Sequence, residues 1–326
     1  MNNHIYSVRQ DVIHKIHELG MNSKALKGLF GWDSPTVNEF INTAHLIVTL
    51  PHANPNVFFP RVFASWYAHH LQCINKQIFH LRIVLSHINF SDLGWRPYAW
   101  WYFDSHKKIQ KMSFFTRNKK NKHVTVISQP SLPEAFLPDM DIYHLEAYSL
   151  ATQCTNRAWS YVAMMASIER AAGLSIAQRT MYITMDQFLA AISKTAELRL
   201  SSLLQQSSGR ILDNDGKLKP AKLDVAPLVY DNATNIALIS TLGTKGIIGG
   251  KKMFSYWSDV ASREKIFSAE KYRPMEVLLI PDAYKIAEKM MLSRETSNQL
   301  MKLGIPYSQG LALSEHGRFS EVYSPF

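Results

Sequence analysis

Between Lys107 and Lys122 the chain reads "KKIQKMSFFTRNKKNK", a stretch with no acidic residue. Its cations are Lys107, Lys108, Lys111, Arg117, Lys119, Lys120 and Lys122. Clustered cations of this kind suit a sugar–phosphate chain, because neutralising phosphates releases their condensed counterions. Phe114 and Phe115 interrupt the run, and "GWRPYAWWYF" lies just upstream, so flat rings that can stack on exposed bases sit beside the charge. The same composition also fits a solvated loop next to an aromatic hairpin, with Trp95, Trp100 and Trp101 packed in a core. The whole chain leans the same way, with a formal net charge of +10. Such an excess attracts polyanions, nucleic acid first and an acidic membrane surface or protein second.

A second group of cations accompanies glycine in "GTKGIIGGKK" (Gly243–Lys252), which holds Lys245, Lys251 and Lys252. The phosphate-loop spacing G-x-x-x-x-G-K-[ST] is not met there. A turn of this composition can hold a phosphate through backbone N–H groups, or it can be a plain turn. Other chemistry finds little footing. The 13 histidines include His69, His70, His80 and His87, without the spacing of a three-ligand metal site, so surface or core roles are expected. Cys73 and Cys154 are the only cysteines; they make no disulfide framework, and Cys154 has no base beside it. Asp139 and Asp141 form a carboxylate pair, but acid–base work needs convergence in space. No catalytic residue, metal, cofactor or small-molecule substrate is therefore expected, and the chain reads as a non-enzyme.

The elements that would carry these residues read as mainly helical with a few short strands. "NHIYSVRQDVIHKIHELG" suggests a first helix closed by Gly20. Apolar residues from Phe63 through Leu71 and Leu81 to Ile88 recur at steps of three and four, which predicts one long amphipathic helix over Val62–Ile88. "KHVTVIS" predicts a strand, and "DIYHLEAYSLATQCTNRAWSYVAMMASIERAAG" a long helix with Gly173 as its cap. "RTMYIT" suggests a strand and "DQFLAAISKTAELRLSSLLQQ" a helix. "SSGRILDNDGKLKPAKLDVAP" (Ser207–Pro227) loses periodicity and contains "NDG", strong turn chemistry for a boundary or a surface hairpin. The expected organisation is a helical body over 1–206 with a basic aromatic hairpin or loop at about 95–130, a linker or hairpin at 207–227, and a C-terminal region over 228–326. Apolar runs are too short to cross a bilayer, and "MNNHIYSVRQDVIHKIHELG" shows no secretory pattern, which suggests a cytoplasmic protein.

Near the C-terminus, "EVLLI" (Glu276–Ile280) suits a strand that Pro281 stops, and Asp282 can cap the helix that follows. Ser293 is a second N-cap, and Leu300, Met301 and Leu303 carry a second helix to Gly304. This order over 275–304 resembles the ribbon-helix-helix family, although it also suits an ordinary piece of core. The resemblance implies an antiparallel two-stranded ribbon in the DNA major groove, and a phosphate held by Ser293, Arg294 and nearby backbone N–H groups. Members alternate polar readers with apolar residues, whereas "EVLLI" offers only Glu276, so Arg263, Lys265, Lys271 and Arg273 are the expected phosphate contacts upstream. A ribbon of this kind needs two strands, hence a homodimer, unless a strand such as "HVTVI" supplies an internal partner.

"FASWYAHHLQCINKQIFHLRIVL" and "PEAFLPDMDIYHLEAYSLATQCTNRAW" are similar to two blocks of a family found on integrating conjugative elements and conjugative plasmids. Tyr143, Leu145, Tyr148 and Leu150 are the positions that match in the second block. The family includes the AcaB type of conjugation regulator, so the resemblance implies a double-stranded DNA-binding transcriptional activator of transfer genes that uses no cofactor. A non-catalytic RNA- or single-strand-binding subunit of a larger complex is the alternative.

Overall fold

The computed structural model of the chain describes residues 3–20, 23–49, 68, 71–84, 99–106, 109–113, 130–133, 139–140, 142–171, 179–192, 210–212, 218–220, 238–249 and 276–279. Its centre is built from short β-branched and apolar segments: β1 (Leu46–Thr49), β2 (Phe79–Val84), β5 (Thr180–Thr184), β8 (Gly246–Gly249) and β9 (Glu276–Leu279). These five pair in the order β5-β2-β1-β8-β9, and every pairing is parallel. The chain thus winds outward from β1 through β2 to β5, then returns past β1 to add β8 and β9. Two separate antiparallel hairpins complete the strands, β3 (Ala99–Phe103) with β4 (Ile109–Ser113) and β6 (Arg210–Leu212) with β7 (Leu218–Pro220).

This α/β architecture overturns the mainly helical fold with a ribbon-helix-helix-like unit. The segment "EVLL" is not half of an antiparallel ribbon. It pairs in parallel with β8, Ile247 opposite Val277 and Ile248 opposite Leu278, and forms one end of the described sheet. Strands of parallel sheets ordinarily read as near-continuous apolar runs, as "EVLL" does, where a groove reader would alternate. Residues 280–304, expected to hold the two helices, lie outside the described residues.

The long helix over Val62–Ile88 is likewise corrected. Residues 71–74 are helical, but the chain then turns at Asn75–Gln77 and enters β2. Asn75 drives the turn: its Oδ1 accepts from the Gln77 backbone N–H at 2.9 Å, and its carbonyl accepts from Ile78 N at 3.1 Å. A fully buried strand such as "FHLRIV" has no period of two to betray it, so its apolar residues extend the helical count by accident. The single long helix expected after Asp141 is two helices, α4 (Ile142–Thr152) and α5 (Arg157–Ala171). Asn156 starts the second by accepting the Trp159 N–H on its side chain at 3.0 Å. Gly173 lies outside the described residues, as does "KHVTVIS".

Other expectations agree. The first helix, α1, spans Asn3–Gly20, and β5 matches "RTMYIT". Residues 186–192 of the next expected helix are helical, and 193–206 are outside the described residues. The "NDG" segment joins β6 to β7, with Leu212 opposite Leu218, so the hairpin is present.

Parallel register puts alternate residues on opposite faces of the sheet. One face carries Leu46, Val48, Phe79, Leu81, Ile83, Met181, Ile183 and Ile247, all apolar and buried. The N-terminal helices cover it. Helix α2 (Lys24–Phe30) is capped by Ser23, and α3 (Ser34–Asn42) by Asp33, whose carboxylate accepts the Thr36 N–H at 2.8 Å. Phe40 and Trp32 then reach the sheet, with ring centres 5.7 and 5.8 Å from that of Phe79. Arg9 locks α1 in place. Its guanidinium donates to the carbonyls of Phe40, Ile41, Thr43, Leu242 and Gly243, and burial lowers its pKa to about 10, so it remains charged at neutral pH. No helix among the described residues is long and apolar enough to cross a membrane.

Candidate functional site

The basic run starts inside a two-stranded ribbon. In the β3–β4 hairpin Trp100 stands opposite Met112, Trp101 opposite Lys111 and Tyr102 opposite Gln110. Met112 is buried, and strand alternation places positions 101 and 111 on the other face of the ribbon. The connection 104–108 reads Asp-Ser-His-Lys-Lys. Asp104 shapes it by accepting the His106 N–H at 2.9 Å, and the Ser105 hydroxyl donates to Asp139 at 3.1 Å. Asp139, a member of the carboxylate pair, therefore anchors the hairpin tip.

Only two of the expected phosphate-binding cations fall on described residues. Lys111 is in β4, and Lys245 is exposed in the turn before β8, where its backbone N–H donates to Leu46 O at 2.7 Å. The two belong to different sheets. Lys107, Lys108, Arg117, Lys119, Lys120, Lys122, Lys251, Lys252, Arg263, Lys265, Lys271, Arg273, Ser293 and Arg294 lie outside the described residues. The glycine turn before β8 enters a strand at its amino end, whereas ligands of open parallel sheets gather at the carboxyl ends. In that turn the φ of 61° at Gly243 suits glycine, and a Cβ there would come within 2.8 Å of the Ile5 side chain.

A second group of polar residues was not anticipated from the sequence. On the sheet face away from Phe79, register aligns Thr49, Arg82 and Tyr182 across β1, β2 and β5. One step toward the amino end come Ile47, His80 and Thr180, and one step toward the carboxyl end Val84 and Thr184. Helix α5 supplies Glu169 to this row. Arg82 Nη1 lies 3.1 Å from Glu169 Oε1, and the Tyr182 hydroxyl donates to Glu169 Oε2 at 2.6 Å. His80 Nε2 is 2.7 Å from Thr49 Oγ1. Burial, with the nearby Arg82 charge as a lesser cause, holds the His80 imidazole down to about 3, so it is neutral at physiological pH. Gln72 joins the same face by donating to Arg179 O at 3.0 Å. Thr184 Oγ1 is buried and has no hydrogen-bond partner.

His80 is thus a core histidine satisfied by a threonine, and no group of three or more His, Cys, Asp or Glu among the described residues could hold a metal ion. Cys154 lies at the α4–α5 junction, where burial pushes its thiol up to about 12 and leaves it protonated at neutral pH. Of the aromatic-block positions, Tyr148 is buried and donates to Pro133 O at 2.9 Å. Arg157 fastens the same segment through Pro130 O at 2.9 Å and Ser131 O at 3.1 Å. These are packing roles for a proline-bounded strap against the helical pair. Leu145, in contrast, is exposed. No family model matches this chain, and no curated protein is significantly similar to it.

Proposed function

We propose that the protein is a cytoplasmic DNA-binding transcriptional regulator, and that the β3–β4 ribbon with its basic run is the part that grips the duplex. The observation that carries this reading is the hairpin itself. A two-stranded antiparallel ribbon fits the major groove, and this one has Lys107 and Lys108 in its connection, Lys111 in its second strand and Arg117–Lys122 directly after it in sequence. The net charge of +10 supports a polyanionic partner, and the resemblance to conjugation regulators supports transfer genes as the target. Both strands of the ribbon come from one chain, so the grip needs no second copy.

The test is a gel-shift series over salt with duplex DNA from the gene neighbourhood, scrambled duplex and single strands. Wild-type protein should favour its own duplex by at least about tenfold over scrambled sequence, and by roughly a thousandfold or more if its specificity is that of a typical regulator. Replacing Lys107, Lys108 and Lys111 together by alanine should weaken binding to all duplexes alike and flatten the salt slope by about one for each phosphate no longer neutralised. Retention of full affinity by that variant defeats the assignment to the ribbon. Trp100, Trp101 and Tyr102 in β3 favour one rival, stacking on unpaired bases. Tighter binding to single strands than to any duplex would replace the regulator reading with that one.

A further inference from the structure

The tip of the β3–β4 hairpin is held by an acid that does not belong to it. Between Ala99 and Lys122 the sequence has a single acidic residue, Asp104. Asp104 is buried, and its carboxylate accepts the His106 N–H at 2.9 Å, so it shapes the connection from within. The anion at the exposed tip comes instead from Asp139, 34 positions after Ser105. Met140, next to it, is buried, and α4 begins at Ile142, so Asp139 ties the ribbon tip to the segment that leads into the helical pair.

Asp139 takes both donors that Ser105 offers. Its Oδ1 accepts the Ser105 N–H at 3.4 Å, and its Oδ2 accepts the Ser105 hydroxyl at 3.1 Å. Backbone N–H groups and serine hydroxyls are donors that proteins use on nucleic-acid phosphates, and two phosphate oxygens can meet such a pair as a carboxylate does. The contact is also easily exchanged. Ser105 and Asp139 are both exposed, both distances lie at the long end for hydrogen bonds, and contacts of this kind in open water add little to stability.

We infer that the N–H and hydroxyl of Ser105 form a phosphate site at the hairpin tip, and that Asp139 occupies it as an internal competitor which the nucleic-acid backbone displaces. This rests on the ribbon as the nucleic-acid grip. It adds to that grip a contact outside the basic run, and a restraint: every binding event must expel Asp139. Because the tip meets phosphate and not bases, the restraint weakens all sequences alike.

Gel shifts of the full chain on specific and scrambled duplex, near physiological salt, test this. Asp139→Ala should bind both duplexes about threefold to tenfold more tightly than wild type, the worth of a hydrogen-bonded contact that no longer has to be given up. Ser105→Ala alone should change affinity less than about twofold, since it removes a donor from the free and the bound states together. Added to Asp139→Ala, it should abolish most of the gain, a coupling that loss of charge by itself does not produce. Glu146→Gln removes another exposed acid, on α4, and should leave affinity within about twofold of wild type. The inference is overturned, with the ribbon reading intact, if wild type binds duplex and Asp139→Ala binds it no more tightly. It is likewise overturned if Glu146→Gln gives an equal gain, or if Ser105→Ala leaves the gain whole. Binding by neither wild type nor Asp139→Ala overturns the inference and the ribbon reading together.

Discussion

On one face of the five-stranded sheet Phe79 meets the rings of Phe40 and Trp32; on the other, Glu169 meets Arg82 and Tyr182. The first face is held by apolar burial and edge-to-face ring packing, which tolerate small changes of shape. The second is held by charges taken out of water, which tolerate almost none unless both partners change together. Adjacent residues of a single strand, Leu81 and Arg82, therefore face opposite physical regimes.

That contrast can be broken at its sharpest point by Glu169→Ala. The Arg82 charge would stay buried without its carboxylate, and stability should fall by about 3–5 kcal/mol in urea unfolding. The paired replacement Arg82→Met with Glu169→Leu should recover most of that loss, since it removes both desolvated charges; no recovery would mean that the pair does more than balance its own burial.

Next in size is the acid response of the polar face. The folded His80 has a pKa of about 3 against an ordinary value of 6.5, so the unfolded chain takes up a proton below pH 6.5 that the folded chain refuses. The stability tied to neutral His80 is complete above pH 6.5 and is lost as pH falls toward 3, at up to about 1.4 kcal/mol per pH unit. Urea midpoints from pH 7 to 4.5 should drop less steeply in His80→Gln than in wild type. Parallel curves would mean that His80 is not the titrating group.

The smallest effect belongs to the apolar face. Phe79→Leu keeps most of the volume but removes the ring-on-ring packing, and should cost about 1–2 kcal/mol with unchanged pH dependence. A cost as large as that of Glu169→Ala would erase the distinction between the faces.

The parts of this architecture that were legible in the sequence are those with local signals. Helix α1 shows its period and its glycine, "RTMYIT" shows β-branched composition, and "NDG" marks the β6–β7 turn. What escaped was decided by distant partners. "FHLRIV", "GIIG" and "EVLL" are strands because they take their places in one parallel sheet, and the apolar runs usual in such sheets leave no alternation to read. The polar row was hidden for the same reason: Arg82 is a lone cation in an apolar run and Glu169 a lone acid in an apolar helix, and only register brings them together. A basic residue inside one apolar segment and an acidic residue inside another were the available hint. The basic run, by contrast, gathers its cations close together in sequence, so the expectation of phosphate contact there needed no register to raise it.

The pairing of Ile47 with Gly246 joins residues 199 positions apart. During synthesis β1, β2 and β5 emerge long before β8 and β9, so the growing chain carries β1 with an open hydrogen-bonding edge for most of its time on the ribosome. Such an edge recruits any extended segment nearby, including the same edge of another nascent chain. Yield in a foreign host should accordingly respond to slower translation and to chaperone supply more than to the stability of the finished molecule.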